Sequence, residues 1–178
     1  MSITLRDLGP DDWPQVHSIY ADGIAGGNAS FASAPPSWAQ FDASKRPDLR
    51  FVAVDEAAGD PAPILGWIAC SPISDWAVFG GVVEISLYVS ERARGRGVGS
   101  ALLAHLIERS EATGVWSLTA RIFPENDGSI RLHERHGFRL VGIHRHMGYM
   151  EHGPYRGWRD NALLERRSTR AGIRVPGA

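Results

Sequence analysis

The chain has one cysteine, Cys70, among 178 residues. That excludes an intramolecular disulfide framework and any zinc site built from several cysteines. It also has no dominant charge sign. Lys and Arg number 19 against 20 Asp and Glu, a formal charge of -1, so no broad basic field exists to hold nucleic acid. No stretch approaches the roughly 18 uninterrupted apolar residues of a membrane span. The opening MSITLRDLGPDDW has no apolar segment of the secretory kind. These absences predict a cytoplasmic globular chain that partners neither nucleic acid nor membrane. The composition, 43% hydrophobic and 22% charged, suits an ordinary globular fold. The length predicts one domain, 1–167, with a flexible tail over 168–178.

Local patterns predict the order β-α-α-β-β-β-α-β-α-β-β, an α/β domain with a mixed sheet. Ile3–Leu8 alternates as a strand, and Asp11 or Asp12 caps a helix through Val16, Ile19 and Tyr20. Ser37 caps a short second helix ending before Pro47. Arg50–Val54 and Ile64–Ser71 read as strands around the turn-rich AAGDPAP, and residues 72–81 as a loop. Val82–Val89 is the strongest strand. Its alternation sets Glu84, Ser86 and Tyr88 on one face and Val83, Ile85, Leu87 and Val89 on the other. A helix from Gly99 to Thr113 carries Leu102, Leu103, Leu106 and Ile107 at helical spacing. Trp116–Phe123 reads as a strand, Asn126-Asp127 caps a helix bearing His133, and Phe138–Ile143 and Tyr155–Leu164 close the pattern as strands.

The informative unit is Arg94-Gly95-Arg96-Gly97-Val98-Gly99, between a strand and a helix. Glycines let backbone N–H groups approach a ligand, and the helix start adds its positive dipole end, which suits a pyrophosphate. A dinucleotide fingerprint would need a further glycine where Ser100 stands, and no Gly-Lys-Ser/Thr P-loop is present. A zincin pattern fails as well, because His133-Glu134-Arg135-His136 is followed by Gly137 rather than His. His144 and His146 share one side of a strand without a third ligand nearby in sequence, so no metal is expected.

VEISLYVSERARGRGVGSALLAHLI resembles the acetyl-CoA motif of the GNAT superfamily of N-acetyltransferases, with Arg94, Gly97 and Gly99 on its signature positions. NDGSIRLHERHGF resembles that family's second block, placing Asn126 and Ser129 at cofactor-contacting positions. Within the superfamily, NASF, Val83-Glu84, LHERHGF and Gly157-Trp158-Arg159-Asp160 resemble the phosphinothricin and methionine sulfoximine acetyltransferase branch. That branch carries a basic and aromatic loop before its central strand, where this chain has SPISDWAVFGG without Arg or Lys.

The resemblance implies a GNAT fold of about seven strands and four helices. It implies acetyl-CoA as co-substrate, bound by Leu87, Tyr88, Val89, Arg94, Gly95, Arg96, Gly97, Val98, Gly99, Ser100, Asn126 and Ser129. It also implies a small amine acceptor and a homodimer. Transfer to an amine requires loss of a proton, since an α-ammonium has a pKa near ~8. Glu84 is the candidate base on the polar face of its strand, although composition alone reads it as a Glu paired with Arg. His133 takes the position of a thiolate-protonating tyrosine in many relatives and serves as acid or as base. Phe31, Trp38 and Trp76 are candidate walls of the acceptor pocket, and Arg121 a candidate partner for an acidic acceptor. Transfer through Cys70 is disfavoured by its apolar strand. The alternatives are acetylation of a protein or peptide amine, or a non-catalytic acyl-CoA-binding module.

Overall fold

A computed structural model describes residues 2–59, 61–151 and 153–173. The last stretch of the expected tail, 174–178, lies outside them, as does Asp60 in the AAGDPAP turn. Among the described residues, seven strands form one sheet in the order β1-β2-β3-β4-β5-β7-β6. They are β1 (Ile3–Asp7), β2 (Arg50–Asp55), β3 (Ile64–Pro72), β4 (Val82–Val89), β5 (Ser117–Ile122), β6 (Arg139–Met150) and β7 (Gly157–Arg167). Four α-helices accompany it: α1 (Trp13–Ala25), α2 (Trp38–Ser44), α3 (Val98–Ala112) and α4 (Asp127–Arg135).

Apolar periodicity sorts the helices between the two faces. Val16 and Ile19 of α1 and Phe41 of α2 pack with Trp67, Val52 and Val54 on one side. Leu102, Leu103 and Leu106 of α3 pack with Val83, Ile85, Ala162 and Leu164 on the other, joined by Ile130 and Leu132 of α4. Burying each such Leu or Phe contributes about 1.5–3 kcal/mol. The β4 alternation follows the same division. Val83 and Ile85 enter the α3 side, while Tyr88 packs against the α1 side. Ser37 caps α2 through a bond from the Gln40 N–H, with the Gln40 side chain returning the contact.

One irregularity positions the site. Strands β4 and β5 run parallel but pair only from Val82 to Glu84, opposite Ser117 to Thr119. Beyond Glu84 they part, so the backbone of Ile85–Val89 is paired to β3 alone.

One expectation is corrected. Strand β6 runs on to Met150 rather than ending at Ile143. Its register against β7 shifts between His144 and Gly148, and His146 there has φ 49. Such a bulge resets which face each side chain takes, so alternation disappears from GIHRHMGYM. The Asp160 carboxylate holds the bulge by accepting the His146 N–H at 2.8 Å. At the start of the expected tail, residues 168–173 make hydrogen bonds to the domain. Ser168 is buried, its hydroxyl donates to Glu111 Oε1 at 3.0 Å, and Arg167 donates to the carbonyls of Ala171 and Gly172.

Candidate active site

The parting of β4 and β5 opens a cleft on the α1 side of the sheet, with a volume of about 580 Å³. Glu84, Ser86 and Tyr88 of β4 reach it because their alternation faces away from α3. Arg121 of β5 enters alongside, and its Nη1 lies 3.3 Å from Glu84 Oε2. The ion pair expected from composition is therefore present. Both partners keep substantial solvent contact, so the pair itself adds little stability. Beneath them Lys45 Nζ donates to Ser71 Oγ and Ser86 Oγ, both at 2.9 Å. Burial lowers the Lys45 pKa from its ordinary value, with Cys70 and Glu84 opposing that shift.

His133 also lines the cleft and is 2% exposed. Its Nδ1 lies 2.8 Å from the Ser129 carbonyl oxygen, one turn earlier on α4. A carbonyl only accepts, so Nδ1 carries the proton. Burial lowers the ring's pKa, outweighing the Ser129 bond that raises it. The ring is therefore neutral near pH 7, and Nε2 presents a lone pair that no group bonds among the described residues. Phe31 closes the cleft, edge-on to Phe123 at 4.7 Å. Gly148 makes room for it, since a Cβ there would stand 2.7 Å from the Phe31 ring.

A second cavity, of about 730 Å³, continues from the first. The two share Asn28, Ala29, Leu87, Tyr88, Asn126 and Ser129. The Arg94–Ser100 loop lines the second cavity at Arg94, Gly95, Gly97, Val98, Gly99 and Ser100. Gly97 has φ 83 and begins α3 with no side-chain cap, which leaves first-turn amides open to an anion. A pyrophosphate-bearing ligand thus fits this loop, and an extended arm fits the unpaired edge of Leu87–Val89 leading to the first cleft. Ser100 Oγ is 2.8 Å from His136 Nε2.

Most of the residues expected from sequence converge on these two cavities. Three do not. Arg96 is exposed and lines neither cavity, because Gly95 and Gly97 on either side turn it outward at φ 72 and 83. Trp76 is 73% exposed in the loop before β4, and no residue of 72–81 lines either cavity. Trp38 packs on Trp13 and Phe41 instead. Asn126 lines both cavities, yet its amide is already committed. It accepts from the Ser129 N–H at 3.2 Å and donates to the Asn28 carbonyl at 3.0 Å. Tyr88 stacks on Trp67 at 4.7 Å, and burial keeps its phenol protonated. Cys70 is buried with its thiol pushed up to about 12, and it lines neither cavity.

Three residues of this region gave no sequence signal of their own. Lys45 supports Ser86 from a helix end. Asn161 of β7 lines the first cleft. Arg159, 6% exposed, donates to the Gly27 carbonyl, to Asn28 Oδ1 and to Glu125 Oε2 at 2.9–3.0 Å. Its guanidinium also lies 4.0 Å from the centre of the Phe123 ring. It ties the 27–31 loop, which forms the cleft's lip, to the sheet. The branch-like Gly-Trp-Arg-Asp run contained it, but contacts more than a hundred residues away cannot be read from spacing.

Comparison with known proteins places this geometry. The signature of the acetyltransferase (GNAT) family matches residues 13–138. A methionine sulfoximine/methionine sulfone acetyltransferase of Pseudomonas paraeruginosa is 36% identical over 146 residues, covering 80% of this chain and 83% of that protein. A phosphinothricin N-acetyltransferase of Alcaligenes faecalis is 30% identical over 165 residues, 92% of this chain and 81% of that one. The crystal structure of a GNAT superfamily phosphinothricin acetyltransferase from Sinorhizobium meliloti, in complex with acetyl-CoA, superposes with a TM-score of 0.83 at 30% identity. That match covers 98% of this chain and 93% of the other.

Proposed function

The chain belongs to the GNAT acetyltransferase family, and on that premise we propose that it moves an acetyl group from acetyl-CoA to the amine of a small amino-acid-like acceptor of the phosphinothricin or methionine sulfoximine type. Both substrates are bound together and the amine attacks directly. One observation carries the reading. The anion-binding loop and the polar cleft meet where β4 leaves β5, so two ligands entering from opposite ends touch there. The names of the relatives support the acceptor class.

When bound, acetyl-CoA supplies the acetyl group as a thioester. The amides of Val98, Gly99 and Ser100, with Arg94 beside them, hold its pyrophosphate. The free backbone edge of Leu87, Tyr88 and Val89 holds its extended arm and orients the carbonyl. Glu84 takes the first proton of the acceptor's ammonium, directly or through water. His133 receives the second amine proton at Nε2 as the N–C bond forms, and once charged there it donates that proton to the thiolate released when the C–S bond breaks. Arg121 provides the cation that the 72–81 loop lacks, and it pairs with the acceptor's acidic group. Phe31 covers the acceptor against water. Positioning both substrates in one cleft supplies much of the rate.

The test is thiol release from acetyl-CoA with free amino acids and their phosphinate, sulfoximine and sulfone analogues. Turnover confined to the tetrahedral analogues is the expected result. Binding of acetyl-CoA with silence across that panel, but turnover of a peptide amine, would overturn the acceptor assignment.

A further inference from the structure

Four buried side-chain polar atoms have no hydrogen-bond partner among the described residues: Arg50 Nε, Trp67 Nε1, His133 Nε2 and Asn161 Oδ1. The first two are donors set among the aromatic rings on the α1 side. The last two are acceptors, and both belong to residues lining the acceptor cleft.

Asn161 sits in the middle of β7, whose neighbours Ala162 and Leu164 enter the α3-side core. Asn161 faces the other way, across from His144 of β6, and is only 5% exposed. Leaving a buried carbonyl oxygen unbonded costs its full desolvation, and an isosteric leucine would avoid that cost. His133 Nε2 carries the same cost in the same cleft. Two residues that line one cavity thus each carry a buried acceptor without a donor, so the region is short of two N–H donors.

We infer that Asn161 is an acceptor-binding residue: its Oδ1, together with His133 Nε2, receives two N–H groups of the acceptor's amine. This rests on the acceptor reading above and narrows it. An attacking amine directs its lone pair at the carbonyl carbon, so only a primary amine has two N–H groups left for these partners. The site therefore selects primary amines over N-alkylated ones, and it aims the lone pair by fixing both hydrogens.

The test compares primary amines with their N-methyl counterparts, methionine sulfone among them, in wild type, Asn161→Leu and Asn161→Asp. Wild type is expected to favour the primary amine at least tenfold in kcat/KM. Asn161→Leu should raise the amine KM about ten- to a hundredfold and erase most of that preference, with the acetyl-CoA KM within about twofold of wild type. Its melting temperature should hold or rise, because an unsatisfied buried oxygen has gone. Asn161→Asp keeps an acceptor oxygen in place and should retain the preference. Equal use of N-methyl amines by wild type overturns the inference. So does an Asn161→Leu protein with unchanged amine KM, or loss of stability and of acetyl-CoA binding together in both variants. Rejection of methionine sulfone while other primary amines turn over sinks the acceptor assignment alone, and the Asn161 comparison is then read on those amines. No turnover with any primary amine overturns both.

Discussion

A single hydrogen bond to the Ser129 carbonyl decides which nitrogen of His133 is available for chemistry, and burial decides its charge. Both have consequences for pH. The folded ring resists protonation, so the acid limb of kcat/KM that His133 contributes should have its midpoint below the ordinary value of about 6.5. His133→Phe should remove that limb and lower kcat by about 10²–10⁴-fold, which a pH–rate profile will show. Stability carries the same sign. Below about pH 6.5 the unfolded chain takes up this proton and the folded chain does not. Stability attributable to His133 is therefore full above that pH and declines as pH falls below it. A denaturant titration of wild type against His133→Phe tests this. Glu84→Gln should lower kcat by a similar factor while leaving acetyl-CoA binding intact. Equal turnover in that variant would reduce Glu84 to the partner of Arg121. Strand alternation shows on which face Glu84 stands, but only the resemblance favours it as a base over a partner of arginine. His133 emerged only through resemblance, since nothing local distinguishes it from His136. Asn161 gave no signal, because an unbonded oxygen is a property of the surroundings that β5, β6 and α4 create.

The elements were most legible where hydrophobic period and punctuation agree. Strand β4 lies where its alternation places it, and α3 begins within a residue of expectation, at Val98, after the positive-φ Gly97. The sequence predicts too short a β6 because the bulge breaks its period, while the tertiary bond to Asp160 holds the chain as it continues as a strand. The 168–173 stretch lacks any period, so its attachment to α3 through Glu111 was invisible. Arg159 is the clearest case of an element-level brace. Arg159→Leu leaves the Gly27 carbonyl and Asn28 without their donor and unstacks Phe123. It should destabilise the protein by about 3 kcal/mol and raise the acceptor KM by loosening the 27–31 lip. Chemical unfolding and steady-state kinetics measure the two effects separately. Unchanged kinetics in a destabilised protein would confine Arg159 to folding.

At the scale of the whole molecule, the sheet is two halves, β1 to β4 and β5 with β7 and β6, joined by three residue pairs. The second half ends in β6, which exposes Leu140, Val141, Ile143, Met147 and Tyr149, with Trp158 beside them on β7. Exposed apolar side chains of this kind suit contact with a second copy, which is the basis of a testable expectation. Light scattering is expected to give twice the chain mass, and Val141→Asp to return a monomer. A monomeric wild type would refute the dimer.

The short β4–β5 junction has one more consequence. Backbone groups of Ile85–Val89 lie inside the protein but outside any ladder on that side, so their amide protons that face the gap have no strand to protect them. In deuterated water they should exchange early in the free chain and slow sharply once a ligand lies along the edge. The seam thus serves as an unlabelled gauge of occupancy, able to register an unknown compound before any product forms.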